Sequence, residues 1–200
     1  MEKTFLAAVE GRRTYYAIGK SSPVSDERIR RIVAGMLANV PSAFNAQSAR
    51  AVVLFGEAHD KVWDITRETL RKIVPAAAFE KTEGKIASFA AGHGTVLYFD
   101  DTAVTDKFAQ QFPSYRDNFP VWAQQANGML QFAVWTALEQ EGLGASLQHY
   151  NPLIDDEVKA RWGLPDSWKL IAEMPFGQPT GAPGAKEFQP LEQRLLHFEK

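Results

Sequence analysis

The helical stretch from Val121 to Glu141 constrains this chain more than any other feature, because its middle, Met129 to Leu138, is apolar almost all round. A helix of that kind has to be covered on most sides. It therefore either runs through the core or packs against a second subunit. The chain has 200 residues, enough for one full core and too few for two ordinary domains. One domain over residues 1–200 is expected.

Around that helix the pattern alternates between helices and short apolar strands. Met1 to Glu10 reads as a helix with Phe5, Leu6 and Val9 on one face, stopped by Gly11. Ser25 is placed to cap a second helix reaching about Leu37, with Asp26 and Glu27 where they suit the helix dipole. Ala51 to Phe55 reads as a strand, Ala58 to Ile73 as a helix, and Pro75 to Phe79 as its break. Thr95 to Phe99, Ala145 to Tyr150 and Lys169 to Phe176 are further strands. Asp155 to Trp162 is a short helix with Asp155 as its cap. Residues 178–190 are rich in Gly and Pro and read as an extended arm, followed by an apolar tail from Leu191 to Phe198 that folds back or crosses to a partner. Elements mix without a strict βαβ repeat, which favours α+β over a doubly wound sheet.

Several classes of function drop out. A net charge of -2 gives no footprint for nucleic acid. No apolar run approaches the ~18 residues of a membrane span, and Met1 to Glu10 carries acids on both sides of its apolar patch, unlike a secretion signal. Cysteine is absent, which removes disulfides, thiolate nucleophiles and thiolate-held metals. A cytoplasmic location is expected. His59, His93 and His197 lack ligand spacing and read as surface or core residues, so no metal site is expected. Gly92-His93-Gly94 precedes a strand, whereas a dinucleotide fingerprint must follow one.

The polar chemistry concentrates in four places. Pro41-Ser42-Ala43-Phe44-Asn45-Ala46-Gln47 follows a helix that Pro41 ends. Its hydroxyl and amides donate and accept without charge, which suits the edge of a flat heterocycle. Taken alone, it reads equally as a surface turn. Arg12-Arg13-Thr14 follows the first helix. These arginines suit a phosphate, and equally a helix C-terminus. Gly142-Leu143-Gly144 follows the long helix, and Lys186 lies near the C-terminus.

In that order, over nearly the whole chain, these segments resemble the nitroreductase family of flavin enzymes. The tract Gly142 to Pro152 resembles more specifically its small Frm2-like branch. The resemblance implies a nitroreductase-like α+β fold, a central, mostly antiparallel sheet flanked by helices, in an intertwined homodimer. It implies bound FMN, with NADH or NADPH as electron donor. Arg12, Arg13, Thr14 and Lys186 then match the phosphate-binding positions. Phe188 stands where many relatives carry a second basic residue. Ser42, Asn45 and Gln47 match the loop that reaches the flavin from the partner subunit. Leu147, Gln148 and His149 match the stretch over one face of the ring, mainly with backbone groups. Gln125, with Gln124 as its close competitor, matches a helix glutamine near the flavin, and Lys85 matches a cation near its N1 and O2. His149 is also a candidate general acid.

The activity implied is an FMN-dependent NAD(P)H oxidoreductase that reduces nitroaromatic or quinone-type acceptors by a ping-pong hydride transfer. The cofactor carries the bond chemistry, which accounts for the lack of any catalytic acid–base pair in the sequence. Two alternatives stay open. One is a flavin-binding regulatory or sequestering protein with little turnover, its acceptor face covered by rings such as Tyr15, Tyr16, Phe44, Phe112, Tyr115, Phe119 and Trp122. The other is an interaction protein whose long helix merely dimerises.

Overall fold

A computed structural model describes residues 3–199. Met1 and Glu2, at the start of the expected first helix, lie outside them. The helix itself, α1, spans Phe5–Gly11, with Thr4 Oγ1 accepting from Ala7 N. Then come β1 (Ile18–Gly19), α2 (Asp26–Asn39), β2 (Ala49–Phe55), α3 (Gly56–Arg71), α4 (Ala76–Ala90), β3 (Gly94–Asp101) and α5 (Thr102–Gln111). The long helix is α6 (Asn118–Gln140), followed by β4 (Gly144–Ala145), α7 (Asp155–Trp162) and β5 (Trp168–Pro179).

The five strands form one sheet in the order β1-β5-β3-β2, with β4 also on β5, and every strand pairing is antiparallel. β3 is the central strand. Successive side chains of a strand point to opposite faces, so Val96 and Tyr98 enter one core layer while Leu97 and Phe99 enter the other. The first layer is closed by α2 and α6 through Ile29, Val33, Leu130, Val134 and Leu138. The second is closed by α3, α4 and α7 through Val62, Trp63, Ile86, Phe89 and Val158.

α6 resolves the choice its composition left open only on one side. Val134 and Leu138 are fully buried against the sheet, and its buried amides are bonded: Asn127 Nδ2 donates to Phe99 O (3.0 Å) and Gln131 Nε2 to Asn127 Oδ1 (2.7 Å). On the other side Val121, Met129 and Phe132 face solvent in the single chain.

Ser25 caps α2 as expected, its Oγ accepting from Arg28 N at 3.2 Å. Other expectations need correction. Pro75 does break α3, but it is the N-cap of α4, which the sequence did not announce. α5 follows β3 directly and buries only Thr105 and Ala109, so it lacks an apolar stripe. The strand expected over Ala145 to Tyr150 shrinks to Gly144–Ala145 plus a single bridge at Gln148. Asp155 is the first residue of α7 rather than its cap, a place taken by Ile154 without a side-chain bond.

Among the described residues no helix is long and apolar enough to cross a membrane. Leu138→Ala, which empties a fully buried site on α6, should lower stability by about 2–5 kcal/mol. The check is the urea midpoint at unchanged m-value.

Candidate active site

The arginine segment is built by the end of α1. Arg12 N closes the last turn on Ala8 O (2.8 Å), and the backbone then turns extended. Thr14 forms a parallel bridge with Ala145, and Tyr15 N donates to Ala145 O (3.0 Å). Gly144 permits this approach, since a Cβ there would lie 2.9 Å from the Tyr15 side chain. The Arg12 guanidinium lies over the Trp135 ring of α6, 4.3 Å from its centroid. Its Nε is buried without a hydrogen-bond partner among the described residues. Burial, and then the Arg13 charge, lower its pKa from the ordinary guanidinium value. It stays protonated at neutral pH. A buried N–H with no acceptor, crowded by a second cation, is a place where an anion is welcome. Arg13 Nη2 donates to Gly184 O, which brings the start of the C-terminal arm to the same place. Lys186, two residues further, is exposed, its Nζ 4.9 Å from the Phe188 ring centroid. The donor set therefore fits a phosphate.

The segment after β4 passes the same edge of the sheet. Gln148 is bound inward: its N donates to Glu173 O (2.8 Å), its O accepts from Glu173 N (3.0 Å), and its Nε2 donates to Ser146 Oγ (3.0 Å). The expectation that Gln148 offers backbone groups to a ring therefore does not fit this chain, because those groups are already paired. Leu147 and His149, which alternate with it, are less buried, and His149 is exposed. Lys85, on the exposed side of α4, stands 6.0 Å from the Tyr16 ring and 5.9 Å from the Phe89 ring. Tyr16 follows directly from the Arg12–Tyr15 segment, so Lys85 belongs to this neighbourhood.

The loop from Pro41 to Gln47 lies at the opposite edge, leading into β2. Val40 is extended before Pro41, and Ala43–Asn45 form one 3₁₀ turn. Ser42 and Gln47 line a cavity of about 330 Å³ with α2, Arg50 of β2, and Ala126 and Leu130 of α6. Asn45 is exposed beside it, and Ser42 Oγ accepts from Gln47 N at 2.9 Å. Phe44, Phe112, Tyr115, Phe119 and Trp122 gather into one aromatic cluster here, whereas Tyr16 sits on the arginine side against Phe89. Gln124 and Gln125 are both exposed on α6, so exposure does not separate them.

The named residues thus fall into two groups in one chain. Arg12, Arg13, Thr14, Lys85, Leu147, Gln148, His149 and Lys186 belong to the β5 edge. Ser42, Asn45, Gln47 and Gln125 belong to the β2 edge. Sequence reasoning passed over Arg50, whose Nη1 donates to Gln47 O (2.7 Å) and whose Nη2 donates to Asp101 Oδ2 (2.9 Å). The signal available was a cation inside an apolar strand. It also passed over Trp135, and over Glu173, an acid in the middle of the apolar run of β5.

Glu173 is fully buried. One carboxyl oxygen accepts from Tyr150 N (3.0 Å), and the other has no partner among the described residues. Burial pushes its pKa up to about 8, with the nearby Asp155 charge adding to the shift and the Tyr150 N–H opposing it. Burial likewise raises Tyr150 to about 12 and raises Asp155. His59 is a core residue: its Nδ1 lies 2.8 Å from Thr95 Oγ1, and burial lowers its pKa. No cluster of three or more His, Asp or Glu among the described residues is placed to hold a metal ion.

An antiparallel α+β sheet, a cationic edge with an unsatisfied guanidinium, and an amide-rimmed cavity define a chain suited to a flat ligand with an anionic tail. The comparisons then give the family. The model of the Nitroreductase family matches residues 9–178, and the chain belongs to that family, whose members are oxidoreductases. The nitroreductase FRM2 of Saccharomyces cerevisiae is 34% identical over 186 residues, covering 92% of each chain. The nitroreductase CinD from Lactococcus lactis, solved with nicotinic acid, is 41% identical, with a TM-score of 0.91 over 98% of this chain and 100% of that one. It has also been solved with 4-nitrophenol (39% identity, TM-score 0.90, the same coverage). A structure in complex with FMN from Desulfovibrio desulfuricans shares the fold at 20% identity, with a TM-score of 0.71 over 100% of this chain and 99% of that one.

Glu173 generates a pH prediction. Its proton is held more tightly in the folded chain, where the pKa is about 8, than in the unfolded chain, near 4.5. The stabilisation is therefore complete below about pH 4.5 and is lost as pH rises to about 8, with a slope of at most about 1.4 kcal/mol per pH unit. Glu173→Gln removes this titration. The urea-derived stability of wild type minus variant should fall steadily between pH 5 and 8, and a pH-independent difference would contradict the assignment.

Proposed function

We propose that this chain is an FMN-dependent oxidoreductase that takes hydride from NADH or NADPH and passes it to nitroaromatic or quinone-type acceptors in a ping-pong cycle. In this reading it works as a homodimer, each site drawing on both subunits. Residues 1–200 form one domain, and the arm from residue 178 crosses to the partner. The observation that carries the reading is Arg12, half-desolvated over Trp135, with a buried Nε that nothing in the described chain accepts from. The nicotinic acid and 4-nitrophenol bound by the Lactococcus lactis relative support a flat aromatic substrate.

When bound, FMN supplies the hydride chemistry, and the protein supplies orientation, electrostatics and access. Arg12 and Arg13 would grip the phosphate by charge-assisted hydrogen bonds, with Thr14 adding a hydroxyl and Lys186 a point charge. Ser42, Asn45 and Gln47 would border the ring with uncharged donors and acceptors, with Gln125 close by on α6. Lys85 would lend positive charge to the ring's neighbourhood. Leu147 and His149 would flank one face, held there by the bonds of Gln148 to Glu173. Reducing a quinone to its hydroquinone takes one hydride and one proton, and His149, exposed at this edge, is the proton donor in this scheme.

The separation of the two groups supports the shared site. Arginine and amide groups at opposite edges of one sheet complete each other when a second copy is related by a two-fold axis. The solvent-facing Met129 and Phe132 of α6, and the exposed tail residues Leu191, Leu195, Leu196 and Phe198, are the apolar surface such a partner would cover.

Arg12→Ala should weaken FMN binding by about 1.5–3 kcal/mol, roughly 10- to 150-fold, in a fluorescence-quenching titration. Unchanged affinity would remove Arg12 from the site. In dimers mixing Arg12→Ala with Asn45→Ala, one of the two sites should regain normal FMN affinity, because both lesions then fall in the other site. Anaerobic bleaching by NADH, followed by return of colour with an acceptor, separates turnover from mere flavin storage.

A further inference from the structure

The backbone of the amide loop is held in a conformation that its own residues disfavour. Phe44 has φ 55° and ψ 18°, Asn45 has φ 51° and Gln47 φ 52°. Left-handed geometry suits glycine and is tolerated by Asn, but a bulky residue such as Phe rarely adopts it. Glycine at position 44 would form the same turn without strain. What phenylalanine adds is its ring, which is placed to make contacts. It packs 4.8 Å from Phe112, 5.4 Å from Phe119 and 5.8 Å from Tyr115, and stacks on Trp122 at 5.9 Å. The ring is nevertheless 49% exposed, so it is not an ordinary core residue.

The other end of the loop is fixed by charge. Arg50 binds Gln47 O and is itself anchored on Asp101. Between these two fixed points lie Ser42, Asn45 and Gln47. We propose that Phe44 is a positioning residue: its ring, docked between the 3₁₀ turn at Pro113–Tyr115 and the start of α6, sets the backbone from which the loop's uncharged groups reach the flavin. The inference rests on the flavin reading above. It also makes residues 112–122 a fixed wall, because the loop and the wall are joined through one ring. Aromatic pairs contribute beyond their buried area, which is how a half-exposed ring holds a strained turn.

The test compares wild type with Phe44→Gly, Phe44→Tyr and Phe112→Ala. FMN affinity is read by fluorescence quenching, the ring environment by visible circular dichroism of the bound flavin, and the fold by thermal unfolding of the FMN-free protein. Phe44→Gly relieves the strain and deletes the ring. It should bind FMN at least tenfold more weakly and lose the dichroic signature, while its unfolding temperature stays within a few degrees of wild type. Phe44→Tyr should restore both affinity and signature. Phe112→Ala leaves the loop sequence intact and should weaken FMN in the same direction, which keeps the test decisive if Phe44→Gly fails to fold. Wild-type affinity in Phe44→Gly, or no rescue by Phe44→Tyr, would overturn the inference while leaving the flavin reading in place. No FMN binding by wild type would overturn both.

Discussion

Everything that positions the proposed site is fastened to one helix, and that helix is fixed by burying its apolar side against the central strand. Leu130, Val134 and Leu138 of α6 pack with Val96 and Tyr98 of β3 in one continuous layer. From this seat α6 supports both groups of residues. Near its start, Phe119 and Trp122 receive Phe44, and Ala126 and Leu130 wall the cavity at Ser42 and Gln47. Near its end, Trp135 lies under Arg12. Trp122 and Trp135 are 13 positions apart in the sequence, about 20 Å along a helix at 1.5 Å per residue. A rigid rod therefore sets the spacing between the amide loop and the cationic edge. The proposed dimer follows from that spacing, since each half then needs its counterpart from another copy.

Two buried ionisable groups show how the interior treats charge. Arg12 keeps its proton despite desolvation, and its unmatched N–H makes an anionic ligand favourable. Glu173 gives way instead: its carboxyl is neutral over most of the neutral range, and one of its oxygens secures the backbone after His149. The first leaves a demand that a ligand can meet. The second stiffens the segment from Gln148 to Tyr150 through three hydrogen bonds to one residue of β5.

Much of the architecture was legible because the strongest sequence patterns were also the buried ones. The apolar run of α6, the Ser25 cap and the strand at Thr95 to Phe99 each reflect burial or capping that the structure contains. α4 was hidden because it starts at a proline, carries Gly84, and buries only Phe79, Ile86 and Phe89. α5 was hidden because it buries too little to show a period. In the site, residue types were legible but their directions were not. Gln148 offers an amide in the sequence, yet the single bridge to Glu173 turns it inward. The left-handed backbone at Phe44, Asn45 and Gln47 leaves no trace in composition, because tertiary packing overrides local preference there.

The most direct measurement of the central claim is sedimentation of the FMN-loaded protein followed at the flavin absorbance. The account expects the yellow species to sediment at twice the chain mass, with one flavin per chain and none on free monomer. Flavin travelling with single chains, or failing to travel with the protein at all, would contradict a site assembled from two copies.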